Sequence, residues 1–565
     1  MQNIAVEKQL AKLLACGAAL TTIFLISGSV TDPVNTPKFL IIGLLASSSI
    51  GLVLSTNLRI RLKQFKALLV FIAVFIAAMA LSVLSSRSPL SQNLYGTYGR
   101  NNGLIAYLFL ALILCSALVL REASSFKVLV KALFFAGIVN VVYCLWVILF
   151  GDFIGWSNPY GNILGTLGNP DFISAFLGFF FAAYLAHGVS RESSKVFKIS
   201  MLLVLPVTFF EIVDSHAIQG RLVAVLGTGV VGLLYLRSRF NSKVVAAYIA
   251  FSVVAGFLAV AGALQVGPLT KYIYKTSVSL RGQYWLAAWN TGQSHPITGV
   301  GMDSFGDWYR RSRDIHAIVL PGVNTVVNTA HNVWLDMFAF GGWPLLLSYL
   351  AILAMTTISI VKVILRKKEY DATFVALTVA WLGYQAQSII SINQIGLAIW
   401  GWVLSGALIA YERATREGNP NLAESGGKRS AKSKSDDQLA VGVMVAALCG
   451  LVGLLIALPP LMSDAKWRSA QLARTVQGIE ATMQSTYFNP ENSYKFAVNI
   501  QQLESSNLFD LSHKYALQAV SWNPENYDLW RTLYFIKNSS APEKALALEN
   551  MKRLDPLNPN VIATQ

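Results

Sequence analysis

Runs of about 17 to 25 apolar residues, each long enough to cross roughly 30 Å of hydrocarbon, recur along most of this chain, and nothing else narrows its fold as far. They fall near 11–31, 38–56, 67–84, 103–120 and 128–150, then near 172–188, 198–213, 221–236 and 244–264, and finally near 332–361, 372–392, 395–411 and 439–460. Backbone inside a bilayer must satisfy its own hydrogen bonds, so such runs become helices. The spacing predicts an all-α, polytopic membrane protein of about 13 transmembrane helices. Composition agrees, since 54% of residues are hydrophobic and 13% charged, far from the balance of a soluble domain.

The formal charge of +16 would suggest nucleic acid as partner in a soluble protein. Here the basic residues sit in alternate connections. Arg59, Arg61, Lys63 and Lys66 share one, Arg121, Lys127 and Lys131 the second after it, and Arg191, Lys195 and Lys198 the second after that. Arg237, Arg239 and Lys243 continue the pattern, as do Lys362, Arg366, Lys367 and Lys368, and then Lys428, Arg429, Lys432 and Lys434. The positive-inside rule reads that alternation as topology. It predicts a cytoplasmic N-terminus, an extracytoplasmic loop over 265–330, an extracytoplasmic C-terminal tail and no nucleic-acid partner. The first run follows Lys8 and Lys12 without a small-residue cleavage site, so it reads as a retained helix.

Cys16, Cys115, Cys144 and Cys449 lie in apolar runs without CxxC spacing, which implies buried thiols and neither a disulfide framework nor a metal site. Residues 412–438 turn polar and rich in Gly, Ser and Lys, as a cytoplasmic linker does. Pro459 and Pro460 are expected to end the last transmembrane helix, dividing the chain into a membrane domain over 1–460 and a soluble tail over 461–565. In that tail Asn489-Pro490-Glu491-Asn492 recurs as Asn523-Pro524-Glu525-Asn526, and Asn558-Pro559-Asn560 follows. A proline spacing of about 34 residues resembles tetratricopeptide repeats. This predicts a helical-repeat tail that leans on the membrane domain or holds a protein partner, two full repeats being fewer than usual.

On the predicted outer side, polar residues with chemical capacity gather in a few connections. Arg100, next to Asn101 and Asn102 in YGTYGRNNG, suits contact with phosphate or sugar. Asn169 and Asp171 read as a helix-entry turn with Pro170. Arg221 sits at a helix start, where the dipole does not favour a cation, so an anion must compensate: Glu211 or Asp214 in an ion pair, or an external diphosphate. In the long loop, Arg281 leads Trp285 and Trp289 at i and i+4, aromatic faces for sugar or for the lipid interface. Its guanidinium is expected free for a bidentate phosphate grip. His295, before Pro296, reads as structural, and Arg310, Arg311 and Arg313 as a solvated face. His331 lies where the loop re-enters apolar sequence, beside Asn332.

Together the patterns R-x3-W-x3-W (Arg281 to Trp289), H-P-x2-G-x-G-x2-S-F (His295 to Phe305) and A-H-N-x2-L-D-x4-G (Ala330 to Gly341), with GTYGRNNG, GNPDF and the QGR turn, resemble the O-antigen ligase and Wzy-type polymerase family. The resemblance covers most of the membrane domain. It implies a GT-C-like helical fold in the bacterial cytoplasmic membrane and a donor glycan on undecaprenyl diphosphate. It also implies an acceptor glycan, lipid or protein, and no metal or cofactor. On the same analogy His331 is the catalytic histidine and Arg221 and Arg281 bind the diphosphate, with Arg100 a further candidate. Trp285, Asn332, Asn393 and Gln394 become candidate acceptor or sugar contacts. Two departures stand out: the arginine-glycine order is inverted to Gly220-Arg221, and SINQIG offers Asn393 and Gln394 where some relatives carry an acid.

The chemistry fits those residue types. An imidazole of ordinary pKa near ~6.5 can take a proton from an acceptor hydroxyl, and arginines can stabilise a departing diphosphate without a metal or general acid. Direct attack inverts the anomeric centre. The competing class is a transporter of polysaccharide or lipid-linked glycan, which would place ionisable groups at midplane and show related halves. This chain puts its charges in outer connections and shows no obvious halves.

Overall fold

The computed structural model describes residues 2–416 and 432–563. Every predicted apolar run falls on a helix. Gln2–Ile23, Asn35–Leu54, Arg59–Ser85, Leu104–Ala117, Ala123–Phe150, Pro170–Gly188, Lys195–Asp214, Ile218–Arg239 and Ser242–Ala263 precede the long loop. Val333–Arg366, Ala372–Ile390, Ile395–Arg416 and Lys432–Ala473 follow it. Ten helices among the described residues are long and apolar enough to cross a membrane, and Leu104–Ala117 is a shorter apolar one. The Ile395–Arg416 helix is the central post, buried over its apolar window. Of the expected 412–438 linker, residues 417–431 lie outside the described residues.

Helix ends sort onto two faces. On one, buried Glu7 accepts from the backbone N–H groups of Arg121 and Glu122, both at 2.7 Å, and pairs with Arg61 at 2.5 Å. Arg366 meets Glu412 at 3.0 Å on the same face, and Arg237 donates to the Lys367 carbonyl at 3.1 Å. Among the described residues the basic connections that make these contacts therefore share one face, as their alternation requires; Lys428 and Arg429 lie outside the described residues. The opposite face carries the segment around 86–103, the 264–332 loop, the 391–394 turn and the tail.

The long loop is not irregular: it holds the helices Thr276–Ser294 and Phe305–Ser312. It is also stitched into the Val333–Arg366 helix. That helix breaks at Gly341 and Gly342, the latter at φ +65, which frees backbone groups that must be paired elsewhere. The loop supplies the partners. Val300 N–H donates to Ala339 O at 3.0 Å, Gly301 N–H to Phe340 O at 3.2 Å, and Trp343 N–H to Pro296 O at 2.8 Å. The approach needs glycine on both sides: a Cβ on Gly299 would stand 2.2 Å from Phe340 backbone, and one on Gly342 2.3 Å from Pro296 O. The glycines of H-P-x2-G-x-G are thus structural.

Two expectations for the tail are corrected. The last membrane helix does not stop at Pro459 and Pro460 but runs on to Ala473. A proline leaves the carbonyl four residues earlier without its donor, and here Leu455 O accepts from Tyr487 Oη at 2.9 Å instead. Nor are Arg310, Arg311 and Arg313 solvated. Arg310 and Arg313 share Asp555 at 3.0 and 2.7 Å, and Arg311 meets Glu525 at 2.5 Å. Beside them Asp307 accepts from Gln92, Asn523 and Asn526 at 3.0, 3.2 and 2.7 Å. At the other edge Asp464 accepts from the Thr31 and Asp32 N–H groups, both at 2.8 Å.

The tail has its own core, built from Phe496, Leu503, Ala516, Trp530, Ala547 and Leu554 among others. Its two helical hairpins, Ser493–Ser505 with Phe509–Trp522 and Tyr527–Phe535 with Ala541–Leu554, open on the Asn-Pro-Glu-Asn turns. Asn492 and Asn526 are the N-caps, which is the physical content of the repeated motif.

Candidate functional site

His331 sits in a turn built to hold it. Asp336 Oδ1 accepts from Ala330 N–H at 2.7 Å, Asn332 Oδ1 from Trp334 and Leu335 N–H at 3.0 and 3.1 Å, and Thr329 Oγ1 from His331 N–H at 3.2 Å. The side-chain oxygen of Asn332 is therefore already used as a helix cap. His331 itself has φ +53, a left-handed conformation that costs a non-glycine residue about 1 kcal/mol or more and clusters at functional sites. Its ring lies against Tyr284 of the Thr276–Ser294 helix, 5.6 Å between centroids.

Two arginines from other segments lie near enough for their charge to reach it. Burial first, and then the charges of Arg100 and Arg281, push His331 down to about 3, so the imidazole is neutral and far less basic than the ordinary value expected from sequence. The neutral form is what a group between cations in a desolvated pocket must adopt.

Arg100 is placed by Asp303, which sequence reasoning did not single out. Asp303 Oδ2 accepts from Thr97 N–H at 2.7 Å and Thr97 Oγ1 at 3.0 Å, and the 96–103 turn wraps around it. Gly96, at φ +85, leaves no space for a Cβ, which would fall 2.7 Å from that carboxylate oxygen. Burial raises the Asp303 carboxyl, opposed by Thr97 and by Arg100 beside it. One terminal nitrogen of Arg100, Nη1, is buried with no partner. Asn101 and Asp303 share the left-handed backbone of His331, at φ +56 and +52.

Arg281 is less free than its sequence context suggested. Its Nε donates to Ile390 O at 2.8 Å and its Nη1 to Ser277 O at 3.3 Å, while Nη2 stands 3.6 Å from Asp171. Asn169 caps the Pro170–Gly188 helix through Asp171 N–H at 2.8 Å, as expected, but Asp171 has the further role of countering Arg281. Arg221 lies in the first turn of Ile218–Arg239, its Nε buried and unpartnered. Neither Glu211 nor Asp214 forms an ion pair with it among the described residues. Gly220 before it allows two helices to touch: its N–H donates to Ser174 Oγ at 3.0 Å, and a Cβ would lie 2.1 Å from that oxygen. This accounts for the Gly220-Arg221 order.

Asn393 Oδ1 accepts from Tyr384 Oη at 2.8 Å and Gln394 Oε1 from Leu397 N–H at 3.1 Å, which leaves the Nδ2 and Nε2 amides buried without partners. Trp285 is half-buried with its indole N–H unpartnered, whereas Trp289 packs on Phe338 at 5.1 Å. His295 is structural as expected, its Nδ1 2.9 Å from Ser294 Oγ and its ring on Trp308 at 4.6 Å.

The structure thus brings His331, Arg100 and Arg281 together. It sets Arg221, Asn393 and Gln394 at the same ends of neighbouring helices without direct contact to His331. Buried polar groups are ordinarily satisfied. Here Arg100 Nη1, Arg221 Nε, both oxygens of Glu211 and both polar atoms of Gln219 have no protein partner, so this end of the bundle keeps polar capacity that the fold does not use. Among the described residues no group of three His, Cys, Asp or Glu side chains is placed to hold a metal ion.

A helical membrane bundle that gathers a histidine and several arginines at its helix ends, under the tail, defines a polytopic membrane protein with a cluster of polar side chains at one face. Comparison adds that residues 209–350 match the family model described as O-Antigen ligase. The matched segment contains Arg221, Arg281 and His331. No curated protein matches the chain.

Proposed function

We propose that the protein transfers a glycan from a polyprenyl diphosphate, of the undecaprenyl type, to an acceptor hydroxyl. The reaction takes place on the face opposite the basic connections, the extracytoplasmic side of a bacterial cytoplasmic membrane. The convergence of Arg100 and Arg281 on His331 carries this reading. The acceptor oxygen attacks the anomeric carbon, His331 takes the hydroxyl proton, and the bond from that carbon to the diphosphate oxygen breaks. Arg100, Arg221 and Arg281 hold the departing charge, and the single displacement inverts the centre. On this reading Trp285, Asn393 and Gln394 contact the sugars, through the ring and the N–H groups that the fold leaves unpartnered.

Burial and the charges of Arg100 and Arg281 set the low basicity of His331. A diphosphate between Arg100 and Arg281 offsets the charge-driven part of that depression, burial being the larger part, so donor binding raises the imidazole toward the range a general base needs. The base is strengthened when the leaving group is in place. Ligase and polymerase share this donor and chemistry and differ in acceptor; the length of lipid-linked glycan that accumulates on deletion separates them, long chains for a ligase and single units for a polymerase. The TPR-like tail holds the acceptor or a protein partner over the site.

The test is turnover by purified protein supplied with polyprenyl diphosphate glycan. Wild type transfers, and His331→Ala binds donor but does not turn over; near wild-type turnover by that variant removes the mechanism. Orientation is read separately: a cysteine at Val319 is labelled in intact cells, one at Lys243 only after permeabilisation.

A further inference from the structure

A large cavity lies away from this site. It opens at the basic face, has a volume of about 820 Å³ and lies among the ends of several membrane helices. That is the size of a site for a small ligand, and nothing in the transfer chemistry uses it.

Its charges are uneven. Five cations, Arg61, Arg121, Lys127, Lys131 and Lys367, line it with three carboxylates, Glu192, Glu369 and Asp371. Arg61 is matched by Glu7 at 2.5 Å and Lys367 by Asp371 at 3.7 Å, and Arg121 donates to Gln64 Oε1 at 2.9 Å. Lys127 and Lys131 differ. They stand at i and i+4 on one face of the Ala123–Phe150 helix, are exposed, and take part in no ion pair among the described residues.

Deeper in, the wall becomes apolar. Phe134 and Phe197 enclose the His187 ring at 5.7 and 4.7 Å, and its Nδ1 is buried with no partner. A soluble anion has no use for that aromatic wall, and an acyl chain has none for the lysines. A phospholipid presents both, a phosphate above a glycerol and acyl stem, and basic pockets between membrane helices suit anionic headgroups. We propose that this cavity binds the phosphate of an anionic phospholipid from the leaflet on the basic face, Lys127 and Lys131 holding the phosphate and Phe134 and Phe197 the stem below it.

The full-length protein in neutral detergent is titrated with phosphatidylglycerol, phosphatidylcholine or inorganic phosphate and followed by native mass spectrometry and thermal unfolding. Phosphatidylglycerol is expected to bind and raise the unfolding midpoint, phosphatidylcholine to do neither. Lys127→Glu with Lys131→Glu should weaken phosphatidylglycerol binding by about tenfold or more, as loss of two cations near a membrane surface implies. Lys243→Glu, on the same face outside the cavity, should not. If the double glutamate variant fails to fold, Lys127→Gln with Lys131→Gln asks the same question without repulsion, with a smaller loss in the same direction. Equal binding of both lipids, or phosphatidylglycerol binding unaltered by the double substitution, overturns the proposal. Saturation by inorganic phosphate in place of the lipid also overturns it, and assigns the cavity to a soluble phosphate.

Discussion

Two sets of three arginines lie on the same face of this protein and are treated in opposite ways. Arg310, Arg311 and Arg313 come from one short helix and its end, and each meets a carboxylate of the tail at 3.0 Å or less. Arg100, Arg221 and Arg281 come from three separate segments. Among the described residues the only ion pair within this set is the 3.6 Å contact of Arg281 with Asp171; a buried unpartnered nitrogen occurs in both sets, at Arg100 and Arg221 and at the Nε of Arg310, Arg311 and Arg313, so the difference lies in the countercharge. The first set is neutralised by carboxylates of the fold; the second is left largely without countercharge, which suits the anion proposed for it.

The sharpest way to break the comparison is at Asp555. Asp555→Ala leaves Arg310 and Arg313 buried without their shared carboxylate, and breaking a buried pair costs about 3–5 kcal/mol. Thermal unfolding and tail proteolysis should show that loss; an unchanged midpoint would mean the interface does not hold the tail. Truncation after Pro460 strands the same arginines, so the membrane domain is expected to be destabilised rather than simply shortened. His331→Ala comes next, with turnover about 10²-fold or more lower and donor binding retained.

Arg281→Lys keeps charge and loses the fork. Losing one charge-assisted hydrogen bond, about 1.5–3 kcal/mol, lowers turnover by roughly tenfold or more. Arg311→Lys should leave turnover alone, and equal effects at both would erase the distinction drawn here. A smaller effect concerns pH. The folded His331 is depressed to about 3 while the unfolded imidazole titrates near ~6.5, so the unfolded chain binds the extra proton between those values. Stability is therefore lost as pH falls below ~6.5. His331→Gln should abolish that share of the acid loss, read from unfolding midpoints without donor. Smallest is Asn332→Ala, which removes a helix cap worth about 1 kcal/mol; a larger fall in turnover than in stability would return Asn332 to the site.

Much of this was legible in local pattern. Apolar runs mark every membrane helix because length and hydropathy act locally, and Asn169, Asn492 and Asn526 are caps where Asn precedes a helix start. His331 and Arg281 are recognisable because they lie within motifs. What local pattern could not carry was pairing across the chain. Asp303 holds a turn two hundred residues earlier, and nothing near it in sequence says so. Arg310, Arg311 and Arg313 look like any solvated run until Asp555 and Glu525 arrive from the tail. The helix continues through Pro459 and Pro460 because Tyr487, far downstream, takes the carbonyl that a proline abandons.

The interlock at the break in the Val333–Arg366 helix also has an evolutionary reading. The space a side chain at Gly342 would need is filled by Pro296, and the space one at Gly299 would need is filled by the Phe340 backbone. Each segment is the mould of the other, so neither can drift alone. In an alignment of relatives the two should change as a unit, and a chain that has lost one glycine should have rebuilt the segment facing it.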